Sequence, residues 1–350
     1  MPKKIIVLFL FTIVLITGFL FLSRTHTSTI NIVNSLRSLK PKNTTPTPYP
    51  LYELTIPYLR AKLYESTLGT RAVYEQYGNY TSYITNYASD GLKVQGLLTI
   101  PTGTMPKGGW SAIVFVHGYI PPAQYMTTEK YVDYIDYLAN NGFVVLKIDL
   151  RGHGNSEGEA TGAYYSADYI TDTLSAYTAL QNVNFVNPKN IGLWGHSMGG
   201  NVVMRAFAAK PTIPAVVIWA GAVYSYTDMQ KYGISDNSYQ RRPNTTPRQN
   251  IRQRLSEHYG DPDTDSIFWE NMAPTSFLND LKGALQLHHA TDDAVVNIGY
   301  SRDLISLLKK TTVIHELHEY KYGGHNIEGS SFVSAMQKTV TFYKKYLSQQ

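Results

Sequence analysis

The sequence predicts an α/β domain in which a mostly parallel central sheet is covered by helices on both faces. From about residue 80 onward, short apolar runs alternate with helical patterns, which is typical of strands joined by crossover helices. Several of these runs are continuously apolar, as in strands that are buried on both faces. With 43% hydrophobic and 16% charged residues, the 350-residue chain has the composition of a globular protein with a substantial core.

The N-terminal segment does not share this alternation. Ile5–Leu22 contains no charged residue and follows the pair Lys3-Lys4. A membrane-spanning helix needs about 20 apolar residues, whereas the apolar part of a cleaved secretion signal has about 7–15. No small-residue cleavage motif follows the run. We therefore expect residues 1–24 to form an uncleaved N-terminal transmembrane helix, rather than a cleaved signal or a buried helix.

The segment that follows is polar and predicts a tether. Residues 25–50 are rich in Thr and Pro and cannot bury a core, so they join the anchor to a folded domain at 51–350. The two lysines before the apolar run favour a cytoplasmic N-terminus and export of the domain. Basic residues also flank the other end of the run, at Arg24, Arg37, Lys40 and Lys42. We expect a single-pass anchor with an extracytoplasmic domain.

Composition excludes several kinds of site. The chain has no cysteine, which rules out disulfides, a thiolate nucleophile and cysteine metal sites. The net charge of +5 includes one arginine-rich stretch, with Arg241, Arg242, Arg248, Arg252 and Arg254. This stretch lacks the interleaved aromatic residues and the motifs of nucleic-acid-binding proteins. We interpret it as a solvated face and expect no nucleic-acid partner.

The predicted elements follow one another in a regular order. After a short helical lead-in, a hairpin pairs Tyr83–Tyr87 with Val94–Ile100 around the turn Ser89-Asp90-Gly91. Six further strands are predicted at Ala112–Val116, Phe143–Leu150, Ile191–Trp194, Ala215–Trp219, Ala284–His289 and Thr312–Tyr320. Four helices are predicted at Glu129–Asn140, Asp168–Gln181, Met198–Ala209 and Ser331–Leu347.

Between Gly221 and Pro274 the alternation is lost. This stretch is polar and rich in aromatic residues, and we interpret residues 221–274 as an insertion, or lid, over the edge of the sheet. Its tyrosines either line an aromatic acyl or peptide pocket or pack within the lid, and packing is the simpler interpretation. They are Tyr224, Tyr226, Tyr232 and Tyr239.

One short motif points to nucleophilic catalysis. Gly195-His-Ser-Met-Gly-Gly200 lies between a predicted buried strand and an apolar helix. A G-x-S-x-G sequence at such a turn is the nucleophile elbow, where small residues allow a tight turn and the serine hydroxyl projects above the sheet. The positive end of the helix dipole behind Ser197 favours negative charge that develops there. The pentapeptide alone is weak evidence, but its position between strand and helix makes it strong.

A nucleophilic serine needs a base and an acid that orients the base. On an elbow of this kind the acid and then the histidine follow the serine along the chain. Among the histidines after Ser197, His325 follows Gly323-Gly324 in a loop after the last predicted strand, where its ring has access to the serine. The strand Ala284–His289 is followed by two acids, Asp292 and Asp293, and either one suits the role on these grounds.

Several segments together resemble the α/β-hydrolase superfamily. They are Asp149-Leu-Arg-Gly-His-Gly-Asn-Ser156, Gly195-His-Ser-Met-Gly-Gly200, His289-Ala-Thr-Asp-Asp-Ala-Val-Val296, and Ser89-Asp-Gly91 leading into Leu97-Leu-Thr-Ile-Pro101. More narrowly, the chain from about Tyr80 onward is similar to serine aminopeptidase and prolyl-oligopeptidase-type catalytic domains. The implied H-G-x-x-D-x-x-V-P motif matches with Ala290 in place of Gly and Asn297 in place of Pro. Aligning its valine with Val296 places the acid at Asp293.

The same resemblance implies the rest of the site. The developing oxyanion needs backbone donors: the residue after the nucleophile, Met198, supplies one, and the resemblance places the other at Tyr119, in the loop after Ala112–Val116. His117 is expected to brace that loop. We expect no cofactor, because the last glycine of Gly152-His-Gly154-Asn-Ser-Glu-Gly158 is one residue late for a dinucleotide-binding motif. We expect no metal, because His315-Glu-Leu-His318 lacks the H-E-x-x-H spacing of zinc helices.

The expected function is that of a membrane-tethered serine hydrolase that cleaves ester or amide bonds through an acyl-enzyme. Its substrates are expected to be small molecules or peptides. Alternatives are a carboxylesterase acting on lipid or carbohydrate esters and a non-catalytic binding module on the same fold. The intact set of Ser197, Asp293 and His325 argues against the last of these.

Overall fold

Nine strands form a single sheet in the computed structural model, which describes residues 49–235 and 247–347. The order across the sheet is β1-β2-β3-β5-β4-β6-β7-β8-β9. The pairs β1–β2, β2–β3 and β3–β5 are antiparallel, and every other neighbouring pair is parallel. The strands are β1 (Ala72–Gln76), β2 (Tyr80–Ser89), β3 (Leu92–Pro101), β4 (Trp110–Val116), β5 (Val144–Ile148), β6 (Val186–His196), β7 (Ala215–Trp219), β8 (Ala284–Ala290) and β9 (His315–Tyr320).

Helices cover both faces of the sheet. In the described residues they are α1 (Ile56–Ala61), α2 (Val132–Asn140), α3 (Asp168–Gln181), α4 (Met198–Ala209), α5 (Tyr226–Tyr232), α6 (Pro247–Tyr259), α7 (Ile267–Met272), α8 (Gly299–Leu308) and α9 (Ser330–Leu347). A side chain added at Gly192 would meet Tyr343 of α9, whereas one added at Gly195 would meet Val203 of α4. Because odd and even positions of a strand face opposite sides, α9 and α4 cover opposite faces.

The core forms where the central strands meet these helices. Strands β4, β5 and β7 are almost entirely buried, and β6 is buried from Asn190 onward. On the α9 face the largest rings are Trp194, Trp219 and Tyr343, each fully buried. This packing fixes the carboxyl ends of β6, β7 and β8 beside one another, which is where open parallel sheets hold their active sites.

The predicted fold class is confirmed, with corrections at three places. The bounds of α3, α4 and β7 coincide with the predicted ones, and the hairpin and the remaining strands shift by a few residues. The lead-in contains an additional edge strand, β1, whose five residues are all exposed. Its sequence therefore lacks the apolar pattern by which the other strands were predicted. Helix α8 was not predicted. The segment 221–274 is not irregular throughout, because α5, α6 and α7 lie within it.

The predicted membrane anchor and nearly all of the tether, residues 1–48, lie outside the described residues. Across 49–235 and 247–347, every helix is too short or too polar to cross a bilayer. From Leu51 onward the chain forms one compact unit.

Candidate active site

The turn that carries Ser197 connects β6 directly to α4. Its backbone has φ 53° and ψ −118°, a conformation that is costly for a residue with a side chain and is often found at functional sites. The Ser197 N–H donates to the Trp219 carbonyl at 2.9 Å, which fixes the turn against β7. A side chain at Gly199 would collide with the Val116 and His117 carbonyl oxygens. The glycines of the motif are therefore required by close backbone approach.

His325 and Asp293 form a direct pair. The His325 Nδ1 lies 2.8 Å from the Asp293 Oδ2. A carboxylate only accepts hydrogen bonds, so Nδ1 carries the proton and Nε2 is left with its lone pair. The Asp293 side chain is fully buried, whereas the His325 ring is 18% exposed. The His325 ring is therefore accessible from solvent, whereas the Asp293 carboxylate that binds it is not.

The environment of Asp293 favours its charged form. Its Oδ1 accepts the Val295 and Val296 N–H groups at 2.8 and 2.9 Å, and its Oδ2 lies 3.2 Å from the His289 Nε2. Burial alone would raise the pKa of Asp293, but the hydrogen bonds from His289 and His325 hold that pKa well below its usual range. The carboxylate therefore stays ionised beside the imidazole at neutral pH.

The neighbouring acid, Asp292, has a different task. Its carboxylate accepts the backbone N–H of Gly324 at 2.9 Å and of Gly323 at 3.3 Å. It therefore holds the loop that carries His325 by the backbone, whereas Asp293 holds the ring. The structure thus separates the two acids that the sequence left open on position alone, and it brings Asp293 to the histidine.

The expected oxyanion donors come from two segments that meet at Ser197. Met198 is the first residue of α4. Tyr119 lies in the loop after β4, on the wall of the same cavity as Ser197. The preceding amide, Gly118 N–H, is engaged by the Tyr131 hydroxyl at 2.8 Å. The donor roles of Met198 and Tyr119 stay predictions, but both residues lie in segments adjoining the nucleophile.

A cleft of about 520 Å³ opens beside Ser197. Its walls come from the loop after β4, the start of α2 and the segment from His325 to the start of α9. Aromatic rings line it, at Tyr119, Tyr131, Tyr134 and Phe332. Ser197 and His325 both border this cleft, and in the described residues no hydrogen bond joins their side chains. Such contacts often tighten only when substrate binds.

The tyrosines of segment 221–274 do not belong to this cleft where they are described. Tyr224 and Tyr226 are buried within the protein, and the Tyr232 hydroxyl donates to Asp303 at 2.7 Å. The packing interpretation therefore holds for these three residues, and the pocket interpretation is wrong for them. Tyr239 lies outside the described residues.

The structure also shows the surroundings of several residues outside the cleft. His117 is buried, and its Nδ1 lies 2.6 Å from the Gly118 carbonyl, which suits a residue that braces the loop. Arg151 binds the buried Asp172 at 2.7 Å. In the described ranges, no three His, Asp or Glu side chains are arranged to hold a metal ion. Of the arginine-rich stretch, Arg252 and Arg254 are described, and both are exposed.

Comparison with known proteins finds relatives of this chain. Residues 110–256 match the family model described as serine aminopeptidase, S33. The human protein ABHD12B is 25% identical over 207 residues, which cover 58% of this chain and 51% of that protein. The chain spans about half the length of the curated relatives it matches.

Solved structures share the fold. An acylaminoacyl peptidase from Pyrococcus horikoshii has a TM-score of 0.60 at 18% identity, covering 78% of this chain and 42% of that one. An acetyl xylan esterase from Paenibacillus sp. R4 has a TM-score of 0.60 at 17% identity, covering 89% and 99%. The chain therefore has the α/β-hydrolase fold, and its residues 110–256 are similar to the serine aminopeptidase family. The recognition of the fold from its motifs is thereby confirmed.

Sequence reasoning missed three residues at this candidate site. Tyr131 and Tyr134 lie at the start of α2, and His196 precedes the nucleophile. Tyr134 donates to the Asn326 carbonyl at 2.7 Å, and His196 lies 2.9 Å from the His325 carbonyl. Their partners are distant in sequence, so no local pattern identifies them. His196 occupies the variable position of the G-x-S-x-G motif, which was the available signal.

Proposed function

We propose that this domain hydrolyses ester or amide bonds through Ser197, His325 and Asp293, with an acyl-enzyme intermediate. The observation that carries the proposal is the Asp293–His325 pair, at 2.8 Å, whose ring borders the same cleft as the strained Ser197. Nucleophile, base and orienting acid are the parts that acyl transfer by a serine requires.

The reaction proceeds in two halves. His325 Nε2 takes the Ser197 proton while Oγ attacks the substrate carbonyl, and Asp293 stabilises the imidazolium that forms. The carbonyl oxygen becomes an oxyanion that accepts hydrogen bonds from the Met198 and Tyr119 N–H groups. Collapse of this intermediate expels the leaving group, which takes the proton from His325. Water then attacks the acyl-enzyme by the same route and regenerates Ser197.

Active-site labelling tests this proposal. A fluorophosphonate probe should label the purified protein stoichiometrically, because it reacts with an activated serine hydroxyl. The Ser197→Ala protein should not be labelled, although it should unfold at the same temperature. Absence of labelling in the unsubstituted protein would instead support a binding module that keeps the fold without the activity.

The substrate class follows from a second measurement. A cleft lined by four aromatic rings and open to solvent accepts either an acyl ester or a peptide, so the proposal includes both. A panel of acyl p-nitrophenyl esters and aminoacyl-naphthylamides, compared by kcat/KM, separates a carboxylesterase from a peptidase. Turnover of the esters alone would assign the carboxylesterase alternative.

We also propose that Ile5–Leu22 holds the domain at a membrane, on its extracytoplasmic side. The support is the charge-free run itself, whose length suits a bilayer span. The full-length protein should stay in the membrane fraction after a carbonate wash, and a chain that begins at Leu51 should be soluble and equally active on small esters. A mature N-terminus beyond Ser23 would show that the run is a cleaved signal.

A further inference from the structure

A chain of hydrogen bonds joins the two loops that surround Ser197. We name residues 117–121 the oxyanion loop and residues 321–326 the base loop. The Gly118 N–H lies 2.8 Å from the Tyr131 hydroxyl oxygen, which lies 2.8 Å from the His196 Nδ1. At the other side of the same ring, the His196 Nε2 lies 2.9 Å from the His325 carbonyl oxygen.

The groups at the two ends of this series of hydrogen bonds determine the direction of every bond in it. A backbone N–H only donates, so the Tyr131 oxygen accepts from Gly118. A carbonyl oxygen only accepts, so the His196 Nε2 carries the proton and donates to His325. The His196 Nδ1 then has a lone pair and accepts the Tyr131 O–H. A neutral His196 with its proton on Nε2 therefore forms the hydrogen bonds to both Tyr131 and His325.

Burial keeps His196 in that neutral form. The residue is 3% exposed, and burial together with the nearby His325 ring lowers the pKa of His196 to about 3. The His196 ring therefore stays neutral at neutral pH. A second imidazole so close to His325 does not compete for the serine proton.

The local backbone is shaped to allow this contact. Tyr131 has φ 63°, the left-handed region that a residue with a large side chain adopts only at a cost. At Gly118, a side-chain carbon would lie 2.8 Å from the Tyr131 hydroxyl and 3.0 Å from the His196 Nδ1. The strained Tyr131 and the glycine at 118 are therefore in close contact where the oxyanion loop joins this series of hydrogen bonds.

We propose that Tyr131 and His196 are positioning residues, which couple the oxyanion loop to the base loop through the chain Gly118–Tyr131–His196–His325. This inference rests on the proposed function of Ser197. The link engages the Gly118 amide, one residue before the expected oxyanion donor Tyr119, and it holds the backbone of the residue that supplies the base. It acts on both loops and touches neither reacting atom.

Removal of one hydroxyl tests the link. Tyr131→Phe keeps the ring on the cleft wall and breaks the chain at its centre. The substitution should misalign the oxyanion loop and the base loop in the transition state, so kcat should fall by about 10- to 100-fold. The wall of the cleft is unchanged, so KM should change by about threefold or less. Tyr137→Phe, on the same helix but away from the cleft, is the matched control and should keep kcat within about twofold of the unsubstituted value.

A double-mutant cycle gives the second measurement. If Tyr131 and His196 act through one link, Tyr131→Phe combined with His196→Phe should be no slower than His196→Phe alone. The rate of fluorophosphonate labelling of Ser197 should follow the same order as kcat, with thermal unfolding measured for each protein as a check on folding.

The outcomes separate this inference from the proposed function. If the unsubstituted protein is not labelled, the proposed function itself fails. If it is labelled and Tyr131→Phe reacts at the same rate, the coupling role is wrong. A rise in KM with kcat unchanged would make Tyr131 a substrate contact, and multiplicative effects in the double mutant would make the two residues independent. If His196→Phe does not fold, the kcat and KM of Tyr131→Phe decide alone.

Discussion

Ser197 and His325 border the same cleft, but they are held by different means. Ser197 lies between the central strand β6 and α4, and the chain itself fixes it through a strained φ of 53° and close-packed glycines. His325 lies in a short 3₁₀ turn after the edge strand β9. Side chains from other segments fix its loop, at Asp292, Asp293, His196 and Tyr134.

The difference separates the consequences of substitution. A side chain added at a glycine of the nucleophile turn forces atoms of the backbone apart and therefore affects folding. A change in the contacts to the base loop removes hydrogen bonds without adding atoms, and its effect on catalysis should exceed its effect on folding.

The largest effect is expected at the two adjacent acids. Asp293→Asn leaves the His325 ring in the wrong tautomer, and kcat should fall by roughly 10⁴-fold, as in other triads. Asp292→Asn keeps a carbonyl oxygen that accepts a backbone N–H, so kcat should fall by about tenfold or less. Steady-state kinetics on one activated ester measures both. Equal losses would mean that ring and backbone contacts are not separable.

An added side chain in the nucleophile turn should lower the free energy of unfolding. In Gly199→Ala the new methyl group meets the Val116 and His117 carbonyl oxygens, and overpacking of this kind costs about 1–3 kcal/mol. Gly78→Ala is the control, since an added methyl group there meets nothing within 4 Å. Urea unfolding of the two proteins compares them. If Gly199→Ala were as stable as the control, the turn would not be fixed by close packing.

Low pH should reduce the stability that the contacts of Asp293 provide, because these contacts depend on its charged carboxylate. The native pKa of Asp293 lies below its unfolded value, so its contribution is present at neutral pH and is lost as pH falls below about 4. The difference in unfolding free energy between the unsubstituted protein and Asp293→Asn should therefore shrink by about 2 kcal/mol between pH 5 and pH 2. A difference independent of pH would mean that the carboxylate gains nothing from its partners.

The smallest effect is expected at Tyr232, in segment 221–274. Tyr232→Phe removes a hydrogen bond to Asp303 that lies away from the cleft. Activity should stay within about twofold, and the unfolding free energy should change by about 0.5 kcal/mol or less. A clear rise in KM would place this segment at the substrate after all.

The sequence identified the parts of the site that are encoded locally. Six consecutive residues specify the nucleophile turn, and buried runs specify the central strands, so both were predictable with near-correct bounds. The roles of Tyr131 and His196 depend on partners in other segments, so neither residue was predicted. Strand β1 was missed because its side chains are exposed, and α8 because its short sequence lies between two stronger patterns.

The edge position of β9 has a consequence for partly denatured states. Strands at the end of a sheet have one hydrogen-bonded neighbour, and such elements open at lower free energy than central ones. Transient detachment of β9 and its turn would carry His325 away while β6, between β4 and β7, keeps Ser197 in place. Amide hydrogen exchange would then be faster in β9 than in β6. The proposed turnover would then be lost in mild denaturant before the fold is lost.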